Sequence, residues 1–291
     1  MSTGERQAER QTARKVGILY QEHSEGAGAL ARTLAERLRA EGRVVWQEAL
    51  QKRDVRASDQ LPGSDMVLVL GGDGSLLSAA RMCAEAGIPL LGVNFGRVGF
   101  LTELEPAEVD EKLPLYLNGD YWIDERAMLQ AEVEDGGEHH QFIALNDMVV
   151  VRGAIPRVIR VKVWLDSHYY NTTVADGIII STATGSTAYN LAAGGPILHP
   201  QVRSSVLTPV APHLAADRSL ILEPNAVTTL ELQPGSDGAI VSADGQLNVT
   251  INAGAQVIIR ASQYTTRFLR RRPPTYFYRI LSAKLQDNLS G

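Results

Sequence analysis

Three short stretches of this chain gather residue types that can do chemistry. The first is "LVLGGDGSLLSAAR" (68–81), an apolar run that ends in glycines set around one aspartate, Asp73. Glycines let a backbone approach a bulky anion, and the first N–H groups of a following helix point back into such a loop. Gly71, Gly72, Gly74 and Ser75 therefore read as a phosphate cradle, with Ser75 as N-cap of a helix from Leu76 to about Ala86. The G-x-x-x-x-G-K-[ST] spacing is missing, so this is not a Walker A loop. A carboxylate inside a phosphate cradle is electrostatically awkward unless it has a task. Asp73 either takes a proton from an attacking hydroxyl or reaches a Mg²⁺ that bridges the phosphates; as a mere turn former it would cap the helix start.

The second stretch, "ADGIIISTATGSTAYNLAAGGPI" (175–197), runs a strand into a loop of Ser, Thr and Gly that offers many donors to a polar ligand. Thr187 and Tyr189 lie two apart, which suits contact with a sugar or base beside a ring wall, although Tyr189 could equally pack in a core. The third is "LND" (145–147), where Asn146 and Asp147 could grip a ribose diol or simply form a turn. Other signals are weaker. "GAGALA" (26–31) fits a dinucleotide fingerprint with Glu48 as the ribose acid, but five polar residues separate it from the preceding strand. Ordinary helix-start glycines are the better reading. The histidines show no metal-ligand spacing, His139–His140 reads as an exposed turn, and Cys83 reads as core.

The elements that must carry these loops are legible from periodicity. "VGILY" (16–20), "VVWQEA" (44–49), "DMVLVL" (65–70) and "PLLGVNF" (89–95) read as strands. Between them, Leu30, Leu34 and Leu38 recur every four residues, one apolar helical face closed by Gly42. "EPAEVDEKLPLYLNG" adds a helix with Pro106 in its first turn. This alternation predicts an open, mostly parallel, Rossmann-like α/β sheet. Beyond about residue 120 the texture changes to strand-like runs parted by turns such as Gly136–Gly137 and Asp166–Ser167, hence a mainly-β C-terminal domain. The expected divisions are a disordered tail 1–14, an α/β domain 15–120 completed by the returning segment 270–291, and a β-rich domain 121–269.

Bulk properties narrow the function classes. At 291 residues two domains are expected, and the single cysteine excludes a disulfide framework or a Cys-rich zinc site and fits a cytoplasmic protein. A net charge of −5 argues against nucleic acid as a partner, and no apolar run is long enough to suggest a membrane span. The basic cluster "RFLRRRPP" (267–274) reads as a solvated segment or subunit contact.

Taken together, the sequence resembles the NAD kinase family of bacterial type. "GGDGSLL", "GVNFGRVGFLTEL", "LNDMVV", "ADGIIISTATGSTAYNLAAGGPI" and "DGQ" (244–246) follow that family's order, and "FYRILSAKL" resembles its ending. "GGDG" alone is shared with lipid kinases; the "STATGSTAYNLAAGGPI" block is much more specific. The resemblance implies transfer of phosphate from ATP to the adenosine-ribose 2′-hydroxyl of NAD, with a divalent cation such as Mg²⁺ that the protein alone does not fix. A homodimer or homotetramer is also implied. By motif position Asp73 would be the general base, with Gly74 beside it, and Asn146 and Asp147 would hold the adenosine ribose. Many relatives carry Glu where Asp147 stands, one methylene longer. Thr187, Ala188 and Tyr189 would line the adenine pocket, with Asp176 near the nicotinamide end and Gln246 on the ligand. Arg157 falls at a variable contact position, and Asn190 and Ala192 fall where many relatives have Ser. The rivals are a lipid kinase and a non-catalytic NAD(P)-binding regulator; the nucleotide block argues against the first, and the retained Asp73 against the second.

Overall fold

The computed structural model describes residues 12–50, 58–96, 99–153, 157–213 and 218–287. The expected tail falls mostly outside them, while Ala13 is buried and donates its N–H to the Leu117 carbonyl at 2.9 Å. The chain forms two compact units, one of the residues up to Asp124 and from Arg267 on, the other of Glu125–Thr266.

The first unit is α/β. Its strands are β1 (Lys15–Gln21), β2 (Val44–Leu50), β3 (Met66–Gly71) and β4 (Leu90–Asn94), and its helices are α1 (Glu25–Ala40), α2 (Asp73–Ala84), α3 (Val109–Leu117) and α5 (Tyr276–Asp287). The parallel order is β2-β1-β3-β4, with Phe268 from the end of a late strand paired to Leu90 of β4. β3 is buried along its whole length, as a central parallel strand with both faces covered should be. Ala27, Ala31, Leu34, Ala35 and Leu38 of α1 pack with Val16, Ile18, Leu68, Leu70 and the apolar side of α3. Ser24 caps α1 through a bond from the Ala27 N–H, so Gly26 and Gly28 lie inside the helix and form no dinucleotide turn.

The second unit is β-rich. It contains β5 (Trp122–Asp135), β6 (Glu138–Ala144), β7 (Asp147–Arg152), β8 (Ile159–Leu165), β9 (His168–Ala175), β10 (Gly177–Ser181), β11 (Ser205–Val210), β12 (Leu220–Leu222), β13 (Thr228–Leu232), β14 (Ala239–Ala243), β15 (Leu247–Ile251) and most of β16 (Gln256–Arg270), with one short helix, α4 (Tyr189–Ala192). An antiparallel sheet runs β12-β11-β10-β7-β14-β15. Opposite it, β16, β13, β8 and β9 pair antiparallel, with the β5–β6 hairpin against β16. Alternate residues of both sheets, among them Met148, Val150, Ile178, Ile180, Val161, Val163, Leu230 and Ile259, fill one core between them. The predicted turns hold: Gly136–Gly137 and Asp166–Ser167 all sit at positive φ.

Two readings need correction. His139 and His140 belong to strand β6, because the turn is made by the glycines before them. The basic cluster is not uniformly solvated either. Arg267 and Arg271 are exposed, but Arg270, on the inward side of β16, is 6% exposed.

Candidate active site

Asp73 is the first residue of α2, directly after Gly72, whose extended backbone forms the N-cap. A carboxylate at this position is favoured by the helix dipole. No side chain caps the helix, so the expectation that Ser75 caps a helix starting at Leu76 is overturned. The N–H groups of Ser75 and Leu76 instead close onto the Gly72 carbonyl at 3.0 and 3.2 Å, which makes them part of the first turn. Glycine at 71 is what permits this, since a Cβ there would stand 2.3 Å from Ser75 Oγ.

The Asp73 carboxylate is held from the opposite side. Its Oδ2 accepts the Phe100 N–H at 2.8 Å and its Oδ1 the Leu101 N–H at 3.0 Å. Each oxygen keeps a lone pair for another partner. Gly99 makes this approach possible, because a Cβ there would lie 2.0 Å from Asp73 Oδ1. The side chain is only partly buried, so a reacting group can reach it.

In the second unit three motifs far apart in sequence converge. Asp244 reaches back to the "LND" turn and accepts the N–H groups of Leu145, Asn146 and Asp147 at 3.1, 2.7 and 3.3 Å. Thr182, at the end of β10, donates its N–H to the Asn146 carbonyl at 2.8 Å and its hydroxyl to the Leu145 carbonyl at 2.6 Å. The same hydroxyl accepts the Gly185 N–H at 3.1 Å. A Cβ at Gly185 would lie 2.1 Å from the Asn146 carbonyl oxygen, so the two loops are in backbone contact. None of these bonds uses the Asn146 side chain. The Asp147 carboxyl, 5% exposed, is pushed up to about 7, first by burial and then by the Asp244 charge.

The next turn carries Thr187, Ala188 and Tyr189. Thr187 donates its hydroxyl to the Thr184 carbonyl at 3.3 Å, Ala188 and Ala192 are exposed, and the Tyr189 ring is 41% exposed. Asn190 is fully buried: its Nδ2 donates to the Ser186 and Pro196 carbonyls at 3.0 and 2.9 Å, and its Oδ1 accepts the Thr208 hydroxyl at 2.7 Å. That amide fastens the loop internally. Asn190 therefore differs from its neighbours, which face outward.

Two family models match this chain: the ATP-NAD kinase N-terminal domain over residues 23–121 and the ATP-NAD kinase C-terminal domain over 145–271. The chain belongs to the NAD kinase family. An NAD kinase of Dehalococcoides mccartyi is 39% identical over 277 residues, spanning 94% of this chain and 97% of the relative. That of Syntrophotalea carbinolica is 38% identical over 280 residues, spanning 94% and 98%. Among solved structures, yeast NADH kinase complexed with NADH superposes with a TM-score of 0.77 at 20% identity, covering 90% of this chain and 85% of that one. An Archaeoglobus fulgidus NAD kinase in complex with ATP gives 0.73 at 24%, covering 94% and 98%. At those identities the two structures speak to the fold, which is the same α/β plus β-rich arrangement. As a member of the NAD kinase family the chain is a phosphotransferase.

The remaining residues implied by the NAD kinase resemblance lie elsewhere in the β-rich unit. Asp176 accepts a bond from Arg152 Nε at 3.1 Å, and exposed Arg157 pairs with Asp237 at 3.0 Å. Gln246 follows the Asp244 turn, with its N–H on the Ala243 carbonyl at 3.0 Å. Asp244 and Thr182 lie within the "DGQ" and "STAT" motifs, but nothing in the local sequence beyond a turn signal at Asp244 sets them apart from their neighbours. Asp244 sits at φ 53°, in the left-handed region that Asp tolerates before Gly, and that turn signal was its one visible trace. Among the described residues no group of three or more His, Cys, Asp or Glu is arranged to hold a metal, and no helix is long and apolar enough to cross a membrane.

Proposed function

We propose that this chain transfers the γ-phosphoryl group of ATP to the 2′-hydroxyl of the adenosine ribose of NAD, giving NADP and ADP, with Asp73 as the base. The observation that carries the reading is the Asp73 carboxylate, partly exposed at a helix start and oriented by two backbone amides. Phosphoryl transfer needs in-line placement and charge neutralisation more than covalent help. Gly71, Gly72, Gly74 and Ser75 would take the phosphates; a Cβ at Gly72 would meet nothing within 4 Å, which leaves room for a bulky anion. Asn146 and Asp147 would fix the ribose, with Thr187, Ala188, Tyr189 and Ala192 on the adenine side. Asp176, Arg157 and Gln246 would contribute further contacts, and Asn190 would keep the adenine loop in shape. As the O2′–P bond forms and the bond from the γ-phosphorus to the β-phosphate oxygen breaks, the hydroxyl proton passes to Asp73. A carboxylate is a weak base towards a sugar hydroxyl, so this transfer comes late, once the oxygen has become acidic.

A divalent cation such as Mg²⁺ fits as a companion of the triphosphate. The described residues offer no carboxylate cage, and Mg²⁺ is commonly held through substrate phosphates and waters. When bound it neutralises phosphate charge. Self-association into a homodimer or homotetramer is supported by the sheet edge at β9, where Tyr169 and Tyr170 are 54% and 46% exposed. A cytoplasmic setting accords with the single, buried cysteine.

The test is a coupled assay of the purified chain with NAD, ATP and Mg²⁺, reading NADP through an NADP-specific dehydrogenase. NADP should accumulate in proportion to enzyme. No NADP with ATP, other triphosphates or polyphosphate would remove the kinase reading.

A further inference from the structure

We propose that Arg270 is a positioning residue for the reaction: from within the first unit it fixes the loop whose amides aim the Asp73 carboxylate. The inference rests on the reading of Asp73 as the base. Leu101 is the shared link. Its N–H bonds Asp73 Oδ1 at 3.0 Å, and its carbonyl accepts Arg270 Nη1 at 2.9 Å. The same Nη1 lies 3.2 Å from the Thr102 carbonyl and 3.3 Å from Glu103 Oε2, and Nε lies 3.4 Å from Asp124 Oδ2. One guanidinium thus ties two consecutive carbonyls and two carboxylates, which its planar fork of donors allows and a point charge does not.

The group is buried, with side-chain exposures of 7% for Arg270, 3% for Glu103 and 4% for Asp124. Burying such charges rarely stabilises a fold more than apolar residues of similar volume would. Geometry is the better reason for keeping them. Glu103 Oε1 also accepts the Tyr116 hydroxyl at 3.0 Å and the N–H groups of Arg271 and Arg272 at 2.9 and 3.0 Å. The segment from Leu101 to Glu103 is therefore locked to the end of β16, while the Glu103 N–H is held by the Gly92 carbonyl of β4 at 2.9 Å. With that lock loosened, the Phe100 and Leu101 amides drift, and the carboxylate they orient drifts with them.

The experiment uses the full-length enzyme and Arg270→Lys, which keeps the charge but cannot span the four acceptors. Its kcat should fall tenfold to a hundredfold, while KM for NAD and for ATP stay within about twofold, because a misaimed base costs turnover more than binding. In an Asp73→Asn background the same substitution should have no further effect on the residual rate. Equal loss in both backgrounds overturns the inference and leaves Asp73 as base; full turnover in Asp73→Asn alone would instead remove the base reading itself. If Arg270→Lys does not fold, Asp124→Ala, which removes the acceptor of the Nε bond, carries the same cycle. It should show a smaller kcat loss that again vanishes without Asp73, and an undiminished kcat overturns the inference.

Discussion

Gly99→Ala tests how tightly the carboxylate must be held. The new Cβ would stand 2.0 Å from Asp73 Oδ1, 2.5 Å from Cγ and 2.8 Å from Oδ2. Ordinary contact needs about 3.5 Å, so the carboxylate or the loop must yield by more than 1 Å. A carboxylate that turns about two side-chain bonds yields easily, so the stability cost is bounded by that of two lost hydrogen bonds to a charged group, on the order of 3–6 kcal/mol at most. Catalysis is less forgiving. A misplacement of about 1 Å costs on the order of 10²-fold, and a general base is worth roughly 10²–10⁴-fold in all. Gly99→Ala should therefore lose about 10²-fold in kcat, no more than removal of the carboxylate itself, with KM for NAD nearly unchanged. The assay is steady-state NADP formation beside a thermal melt. A kcat within about threefold of wild type would refute the claim that the amide clamp sets the geometry of the base.

Asp147→Asn should change the pH dependence of stability. Folding raises the Asp147 carboxyl to about 7, so the folded chain binds a proton the unfolded chain lacks, and stability falls as pH rises from about 4 through 7. The Asn variant escapes this loss; its melting temperature should gain on wild type above pH 7 and match it near pH 4, and a difference flat from pH 5 to 8.5 would contradict the reasoning. Gly185→Ala drives a Cβ to 2.1 Å from the Asn146 carbonyl oxygen and 2.5 Å from its carbon, both backbone atoms with little room to move. NAD affinity, read by calorimetry, should drop at least about tenfold, and unaltered affinity would mean that the contact between the two loops is not needed to shape the ribose site.

Local signals in the sequence located most elements but not the long-range clamps. Strands such as β3 and helix α1 carried clear periodicity. The start of α2 was misplaced because Gly72, Gly74 and Ser75 have poor helix propensity, and the tertiary contact of Asp73 with the Phe100–Leu101 amides outweighs it. Pro209 inside β11 masks its strand pattern, and a single residue, Asp176, parts β9 from β10, too short a break to show in the pattern. Asp73, Asn146 and Asp147 stood out because polar groups closed apolar runs. Asp244 and Arg270 did not, since their partners lie 97–99 and 146–169 residues away and each residue looked locally like a turn or a solvated cation.

The central claim is that Asp73 acts as a base on a ribose hydroxyl and does not serve as a binding group. The most direct measurement compares Asp73→Asn with wild type in two readings, NAD dissociation constant by calorimetry and single-turnover formation of NADP from ATP. Asn keeps the shape of the side chain and can still accept an amide bond, but it cannot take the proton. Affinity within about twofold and a turnover reduced by at least about 10²-fold are the predicted pair. Near-normal turnover would contradict the account, as would a loss explained wholly by weakened NAD binding.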